Sequence, residues 1–183
     1  MRCVEKFESI YHMEPEDIVF CPYRVCPLGA HSDHQLGKVT GLALDKGIYI
    51  ACKPKYNGVV ELVSLQFPKR AQWHVRAVPE EKENDWADYL RGATQVLQQK
   101  YPLRVGISGV IEGSLPIGGL SSSAAVTLAF LMALCKVNGL KLDSALLEPA
   151  LSLLTIEVFL GHKDLNIHIP GSSTLKMCKK GCP

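Results

Sequence analysis

The sequence predicts an α+β domain, because segments typical of strands dominate its first part and segments typical of helices its second, without regular alternation between them. The chain has 183 residues, of which 47% are hydrophobic and 21% are charged. That composition is typical of an ordinary globular protein with room for one substantial core.

Strands are predicted where apolar and polar residues alternate, or where β-branched and aromatic residues collect. After helical spacing at residues 4–12, which "EPED" interrupts, "IVFCPYRVCPLG" is typical of a strand that runs into a loop. Residues 38–52 predict two strands separated by a turn at "DKG". "VVELVSLQF" and "AQWHVRAV" predict two more strands, and we expect an antiparallel meander.

Helices are predicted mainly in the second part of the chain. From residue 79 acidic residues come first, and apolar residues then recur at helical spacing at Trp86, Tyr89, Leu90, Ala93, Val96 and Leu97. "VGISGVIEGSL" predicts a strand, and "SAAVTLAFLMALCKVNG" predicts a buried helix that ends at Asn138 and Gly139. "DSALLEPALSLLTIEVFLG" predicts one more helix. We expect residues 1–161 to form the domain and residues 162–183 to form a divergent, flexible tail.

Charge and apolar patterning argue against several classes of protein. The net charge is +2 and no long basic block occurs, so we expect no nucleic-acid partner. The N-terminus lacks the apolar stretch and cleavage site of a secretory signal, so we expect a cytoplasmic protein. The longest apolar segment is far shorter than the roughly 20 residues that span a bilayer, so we expect no membrane partner.

The seven cysteines are odd in number and show no paired C-x-x-C spacing. We therefore expect neither a zinc ribbon nor a closed disulfide framework. Most of the cysteines are predicted to be buried as small apolar residues. Cys178 and Cys182 lie in the Lys-rich tail, where we expect a solvated position.

The segment "LPIGGLSSSAAV", residues 115–126, places two glycines and three serines directly before a predicted helix. The first amides of a helix lack partners within it and carry about half a positive charge, so they attract phosphate. The glycines let the backbone approach a ligand closely. Ser121, Ser122 and Ser123 add hydroxyl groups, one of which could also bind Mg²⁺. We interpret this segment as a site for the phosphates of a nucleotide.

A serine that only caps the helix is the simpler interpretation, since serine is favoured at that position. One serine is enough for a cap, whereas three in a row after a glycine pair and a strand favour anion binding. The lysine that a Walker phosphate loop requires is absent from residues 113–126. The sequence therefore predicts a nucleotide site of another design.

A second group of polar side chains falls in residues 21–39, on a loop between predicted strands. Its members are Arg24, His31, Asp33, His34 and Gln35. Hydrogen-bonding side chains on such a loop suit a polar ligand. A sugar fits because its vicinal hydroxyls need acceptors such as Asp33 and mixed partners such as His31. A solvated turn is the alternative.

Together the two segments resemble motifs of the GHMP kinases. The first, "PYRVCPLGAHSDHQLGK", resembles the galactokinase pattern P-G-R-[VI]-N-L-I-G-E-H-x-D-Y-x-G-G, and "CPLGAHSDHQ" is more similar to galacturonokinases than to galactokinases. The second, "PIGGLSSSAA", resembles P-x-x-x-G-L-x-S-S-A and follows about ninety residues later, in the family's order. "WADYLRG", residues 86–92, looks like a third shared segment between them. The chain is therefore identified as a member of the galactokinase branch of this superfamily.

The resemblance implies a fold like domain 2 of ribosomal protein S5, with an antiparallel or mixed sheet and helices on one side. It also implies ATP-dependent phosphorylation of a sugar at its anomeric hydroxyl. By position, Arg24 would be catalytic and lie beside the transferring phosphate. The sugar would contact Ala30, His31, Asp33 and His34. ATP would contact Pro116, Gly118, Gly119, Leu120, Ser121, Ser122 and Ser123, with Ser122 or Ser123 near Mg²⁺. Trp86 would flank the adenine or belong to the core.

Ala30 stands where galactokinases usually carry a glutamate that is expected to meet the C6 hydroxyl of the sugar. A glutamate would repel a carboxylate at C6, by several kcal/mol where solvation is poor. Alanine admits an acidic sugar. The sequence therefore leaves galacturonate and galactose open as substrates and favours galacturonate.

The third motif of the family has no convincing counterpart here. In these kinases C-G-x-x-D-Q supplies an aspartate that accepts or orients the proton of the attacking hydroxyl. Asp164 comes too soon after Gly161, without Cys-Gly before it, so we do not assign it as the base. Family members also have a second domain. We therefore expect a C-terminally truncated member that lacks this domain and is catalytically impaired.

Three other functions remain open. Loss of the catalytic aspartate favours a regulator that binds sugar and nucleotide without chemistry. A GHMP kinase for a non-sugar alcohol disagrees with the segment "GAHSDH". An inactive fragment would bind neither ligand saturably. No oligomeric state is predicted.

Overall fold

The computed structural model describes residues 1–25, 27, 40–115 and 122–141, together with the backbone of residues 165–167 and 175–177. In these ranges the helices are α1 (Arg2–Tyr11), α2 (Asp88–Lys100) and α3 (Ser122–Val137). The main sheet contains β1 (Asp17–Val25), β2 (Leu42–Lys55), β3 (Val59–Ser64), β4 (Ala71–His74) and β5 (Gly106–Gly113). A separate antiparallel pair consists of β6 (Leu165–Ile167) and β7 (Leu175–Met177).

The main sheet is mixed and has the strand order β1-β2-β5-β3-β4. Strand β2 is antiparallel to both β1 and β5, and β3 is parallel to β5. Therefore β1, β3 and β5 run in the same direction, and their carboxyl ends lie at the same edge of the sheet. The predicted α+β class is confirmed.

Different helices cover the two faces of the sheet. Ile48, Ile50 and Cys52 of β2 belong to the core that α2 and α3 cover. Ala51, which lies between Ile50 and Cys52, packs instead with Phe7 of α1. This alternation follows from the two-residue period of a strand. The predicted layer of helices on one side is confirmed for α2 and α3, and α1 lies on the other side.

Helix α3 is central to the larger core. Its residues are buried on nearly all sides, as expected for a helix with few polar positions. The ring centroids of Phe130 and Trp73 lie 5.8 Å apart. The predicted helix end is confirmed, since the Asn138 side-chain amide donates to the Leu134 carbonyl at 2.9 Å and Gly139 has a φ of 66°. Within the described ranges, no helix combines the length and apolar content that a membrane span requires.

The turn predicted at "DKG" is wrong, because one continuous strand, β2, runs through this segment. Gly47 lies within that strand and pairs with Pro22 of β1. A Cβ at Gly47 would lie 2.1 Å from the carbonyl oxygen of Cys21. This glycine therefore permits close approach of the two strands rather than a turn.

The predicted meander is also wrong in part. Strands β3 and β4 pair antiparallel as predicted, but β5 lies between β2 and β3. Ile107 and Val110 of β5 are buried on opposite faces, so this strand needs a central place in the sheet. The β2–β3 connection instead crosses the start of β5, where a Cβ on Gly106 would lie 2.1 Å from the Val59 oxygen.

Burial of the cysteines agrees with the prediction wherever the structure describes them. The buried residues are Cys3, Cys21, Cys52 and Cys135. Burial raises the pKa of Cys21 and of Cys52 to about 12, so both thiols stay protonated near neutral pH. The remaining cysteines, the helix predicted after residue 141 and the domain boundary predicted at residue 161 lie outside the described residues.

A buried guanidinium holds the segment that precedes α2. Arg91, which is 3% exposed, donates to Asp85 at 2.7 Å, to Asp88 at 2.8 Å and to Glu83 at 3.1 Å. It also lies 5.4 Å from the centroid of the Trp73 ring. The sequence predicts these acidic residues only as the start of a helix. It does not predict that they pair with Arg91.

The carboxylate of Asp85 is the most strongly stabilised member of this group. Hydrogen bonds from Arg91 lower its pKa to about 2, and they outweigh the desolvation that burial imposes. Lys69 adds a contact to the same carboxylate at 3.3 Å. The group therefore fixes the chain between β4 and α2, including Trp86.

We expect Gly47→Ala to lower the free energy of unfolding by about 3 kcal/mol, because the added methyl group would overlap the Cys21 carbonyl and force β1 away from β2. Urea denaturation measures the change. Gly92→Ala in α2 is the matched control: nothing lies within 4 Å of a Cβ there, so alanine should stabilise the helix by up to about 1 kcal/mol. Similar stability of both variants would contradict the assigned role of Gly47.

We expect Asp85→Asn to destabilise the fold by about 2 kcal/mol at neutral pH, because it removes a charged partner from buried Arg91. The pKa of Asp85 is about 2 in the folded state, below its ordinary value of 3.8. The stabilisation is therefore present above pH 4 or so and is lost as the pH falls toward 2.

The stability difference between wild type and Asp85→Asn should consequently shrink over that acidic interval, as denaturation at a series of pH values can measure. Asp45→Asn is the control, since the Asp45 side chain is 88% exposed. A constant difference between wild type and Asp85→Asn down to pH 2 would argue against this role of Asp85.

Candidate functional site

The described residues that are predicted to bind ligand lie at or toward one edge of the sheet. Arg24 is at the carboxyl end of β1, residues 115–126 follow β5 in the chain, and the residues that contact Trp86 follow β3. These three strands are parallel. Cross-strand register agrees, since Cys21 of β1 and Gly113 of β5 both lie opposite Ile48 of β2.

Arg24 is the one residue assigned to the sugar or the transferring phosphate that falls within the described ranges. It is half-buried and lies opposite Ala43, just after an irregularity in the register at Pro22. Its Cδ atom lies 3.5 Å from the place a Cβ on Gly41 would take, so the stem runs along that glycine. The other assigned residues, which lie outside the described part of the chain, are Ala30, His31, Asp33 and His34.

Ser122 and Ser123 are the first two residues of α3, and both are half-buried. At the other end of this helix Lys136 pairs with Asp17, at the start of β1. Helix α3 is therefore antiparallel to β1, and its amino end lies toward the edge where β1 and β5 end. Its first turn contains no acidic residue, so no carboxylate of that turn offsets the positive end of the helix dipole.

Ser114 and Leu115, directly after β5, are the described residues that lead into the predicted phosphate contacts. The Ser114 hydroxyl accepts a hydrogen bond from the Gly47 N–H at 2.8 Å and donates to the Gly47 carbonyl at 2.9 Å. These hydrogen bonds join the residue after the carboxyl end of β5 to strand β2. The rest of the predicted phosphate contacts lie outside the described residues: Pro116, Gly118, Gly119, Leu120 and Ser121.

Tyr23, which was not predicted as a site residue, lies beside the carboxyl end of β5. It is 3% exposed, and a Cβ on Gly113, the last residue of β5, would lie 2.7 Å from its oxygen. Burial raises the pKa of Tyr23. Its signal in the sequence is a tyrosine where the galactokinase pattern has glycine.

Trp86 packs against the larger core and also lies beside an exposed ring. Its Nε1–H donates to the Lys69 carbonyl at 2.8 Å. Its ring is nearly parallel to that of Phe67, with an angle of 6° and centroids 6.1 Å apart, and Phe67 is 39% exposed. The two alternatives from the sequence, core and ligand contact, are therefore compatible in one side chain.

A cavity of about 510 Å³ lies elsewhere, on the face of the sheet that α1 covers. Its lining includes Tyr11, Lys55, Glu61, Arg70 and Ser108. Glu61 accepts from Lys55 and from Arg70, each at 2.7 Å, so its single negative charge offsets only part of the two positive charges. The described residues predicted to bind ligand, which are Arg24, Trp86, Ser122 and Ser123, do not line this cavity.

Hydroxyl oxygens are the described side-chain groups at the amino end of α3 that could bind a metal ion. Among residues 1–25, 27, 40–115 and 122–141, no three His, Cys, Asp or Glu side chains gather as metal ligands would. Ser122 and Ser123 offer hard oxygen donors at the amino end of α3. Such donors suit Mg²⁺, which takes few protein ligands when it also binds phosphates.

Two family models match the chain. Residues 5–54 match the galactokinase galactose-binding signature, and residues 88–164 match the GHMP kinases N-terminal domain. The galacturonokinase of Arabidopsis thaliana is 39% identical over 157 residues, which are 73% of this chain and 37% of that protein. The galactokinase of Thermococcus kodakarensis is 40% identical over 133 residues, 70% of this chain and 37% of that protein.

Solved structures of GHMP kinases share the fold. The Lactococcus lactis galactokinase complexed with galactose has a TM-score of 0.75 at 23% identity, over 87% of this chain and 42% of that one. The Methanococcus jannaschii mevalonate kinase has a TM-score of 0.66 at 17% identity, over 79% of this chain and 48% of that one.

The chain thus spans little more than a third of the length of the curated relatives it matches. Its mixed five-stranded sheet with helices is the fold of the GHMP kinase N-terminal domain. The match of residues 5–54 to the galactokinase galactose-binding signature narrows the assignment to the galactokinase branch of the superfamily. The chain belongs to the GHMP kinase superfamily, in its galactokinase branch.

Proposed function

We propose that this chain supplies the sugar- and ATP-binding domain of an ATP-dependent kinase that phosphorylates the anomeric hydroxyl of galacturonate or galactose. The observation that carries the proposal is the common edge at which β1, β3 and β5 end. Arg24, the amino end of α3 and Trp86 all lie at or toward that edge. One ligand pair, a sugar beside a nucleotide, accounts for all three.

The phosphates of ATP would bind at the amino end of α3. The unpaired amides of a helix start attract anions, and the first turn of this helix carries no competing carboxylate. Ser122 and Ser123 would add hydroxyl contacts, and one of them would bind Mg²⁺. When bound, Mg²⁺ would neutralise charge on the phosphates. Glycines 118 and 119 would let the backbone approach them.

Arg24 would lie beside the phosphate that is transferred. Its guanidinium is always charged and can donate two parallel hydrogen bonds to phosphate oxygens. Positive charge held in place where negative charge develops stabilises the transition state. Trp86, beside Phe67, would supply a flat apolar surface for the adenine.

The sugar would be held by His31, Asp33 and His34, and Ala30 would decide which sugar is accepted. Alanine leaves room for a carboxylate at C6 without a repelling charge. Because the chain is 39% identical to a galacturonokinase and 40% identical to a galactokinase, the preference for an acidic sugar rests on Ala30 rather than on these identities. The family's third motif, which would supply the proton acceptor, has no counterpart that we can assign, and Asp164 is not proposed for that role.

We expect this chain to bind MgATP but to form sugar 1-phosphate only slowly, because no proton acceptor is assigned in it. Calorimetric titration with a non-hydrolysable ATP analogue and Mg²⁺ tests binding, and a coupled assay of sugar 1-phosphate formation tests turnover. Binding of both ligands without turnover would favour the alternative of a non-catalytic regulator. No saturable binding of either ligand would refute the proposal.

Ser122→Ala and Ser123→Ala test the phosphate site. We expect at least one of them to weaken binding of the ATP analogue by about tenfold, because a hydrogen bond to a charged group is lost. Calorimetry in the presence of Mg²⁺ measures the affinity. Ser108→Ala is the control, since Ser108 lines the distant cavity on the α1 face. Equal affinity for all three variants would exclude these hydroxyls from the site.

Ala30→Glu tests the choice of sugar. We expect the glutamate to weaken galacturonate binding by at least about tenfold while galactose binding changes less, because two carboxylates at hydrogen-bonding distance would repel each other. Titration of both sugars measures the ratio. Ala30→Gln is a control of nearly the same size without the charge. If glutamate and glutamine weaken both sugars alike, bulk rather than charge decides, and the proposed role of Ala30 fails.

A further inference from the structure

We propose that the cavity on the α1 face binds a small organic acid, a molecule that carries one carboxylate on an apolar body. The cavity includes Ser108, near the amino end of β5, whereas the proposed sugar and nucleotide site lies toward the carboxyl end of that strand. The two sites are therefore separate. The inference goes beyond the proposed function and does not depend on it.

The floor of the cavity is a row of polar side chains across three strands. Lys53 of β2 and Glu61 of β3 both lie opposite Ser108 of β5, so these three residues share one face of the sheet. Two residues further along β5, Val110 is buried on the same face and packs with α1. The face thus changes from apolar to polar near the carboxyl end of α1, whose last two residues line the cavity.

Positive charge exceeds negative charge in this lining. Lys53, Lys55 and Arg70 are cations, and Glu61 is the one carboxylate among the described lining residues. Glu61, with a side chain 12% exposed, accepts from both Lys55 and Arg70. Lys53 contacts Glu16, which lies outside the lining, at 3.2 Å. One carboxylate does not balance two cations, so a carboxylate from a ligand would complete the pairing.

Arg70 has the donors for a second carboxylate. Its Nη1 atom donates to Glu61, and a guanidinium carries five N–H groups in all. Its side chain is 52% exposed, so a ligand can reach it from solvent. A planar guanidinium can bind a carboxylate through two parallel hydrogen bonds, which a lysine ammonium cannot do.

Tyr11 adds a buried hydroxyl to the same lining. Its oxygen is buried and has no hydrogen-bond partner among the residues that the structure describes. Burial raises the pKa of Tyr11 to about 12, so the hydroxyl remains a donor near neutral pH. A buried donor without an acceptor is unfavourable. A carboxylate oxygen is an acceptor that would satisfy it.

The rest of the lining favours an organic acid over an inorganic anion. Ile10, Met13 and Pro54 supply apolar surface beside the Tyr11 ring. Met13 is 48% exposed, so part of this surface would lose contact with water when an apolar body binds. The volume of about 510 Å³ falls within the range of about 300–1,000 Å³ that small-molecule sites occupy.

Phenylacetate tests the inference, because it joins one carboxylate to an apolar ring. We expect NMR titration of this chain to show saturable shifts at the amides of Tyr11, Glu61 and Ser108, with a Kd on the order of 1 mM. Phenylacetamide has nearly the same shape without the charge, and acetate has the charge without the ring. Both should bind at least about tenfold more weakly, because each lacks one half of the interaction.

Two variants remove one contact each. Arg70→Gln should weaken phenylacetate binding by about tenfold, because a charge-assisted pair is lost. Tyr11→Phe should weaken it about fivefold, because one hydrogen bond is lost. Lys46→Gln is the matched control, since the Lys46 side chain is 54% exposed, much like that of Arg70, and does not line the cavity.

Each outcome decides for or against the inference. Weaker binding in Arg70→Gln and Tyr11→Phe, with Lys46→Gln unchanged, supports it. Absence of saturable shifts at the three amides overturns it. Equal affinity for phenylacetate and either analogue refutes a site for an organic acid. Equal weakening in all three variants would show general attraction to a positive surface and would also refute it.

Discussion

The site depends on the place of β5 in the sheet. This strand is buried on both faces, through Ile107 on one side and Val110 on the other, so hydrophobic burial drives it between β2 and β3. Its pairing is antiparallel to β2 and parallel to β3. The carboxyl ends of β1, β3 and β5 therefore meet at one edge, and the described groups that we propose for ligand binding, Arg24, Trp86 and the amino end of α3, lie at or toward it.

The amino end of α3 also lies toward this edge of the sheet. The helix is buried on nearly all sides, and its opposite end is held by the Lys136–Asp17 pair and by Asn138. A helix fixed in this way presents its positive end in one direction without side-chain carboxylates in its first turn. Electrostatic attraction for an anion thus follows from packing as much as from the serines themselves.

A group of charged residues around Arg91 fixes Trp86, the third group that we propose for ligand binding at this edge. Arg91 gathers acidic residues on both sides of Trp86, and the Lys69 carbonyl receives the indole N–H. A buried charge is costly unless it is fully paired, so this group has few alternative arrangements. Trp86 is consequently held beside Phe67 by interactions that involve neither a sugar nor a nucleotide.

The sequence by itself determined the class of the fold, the positions of most helices and strands, and the two motifs that identify the superfamily. Those features follow from local periodicity, from Gly139 and from short runs of residues, all of which can be recognised in the amino-acid sequence without knowledge of the fold. The turn at "DKG" failed because Gly47 serves the close approach of another strand, which a local pattern does not record. The meander failed for a related reason, since the place of β5 depends on burial over the whole sheet. Only the tertiary structure decided that Tyr23 lies beside Gly113 and that Arg91 pairs with Asp85, because these contacts require packing to bring residues from different elements together.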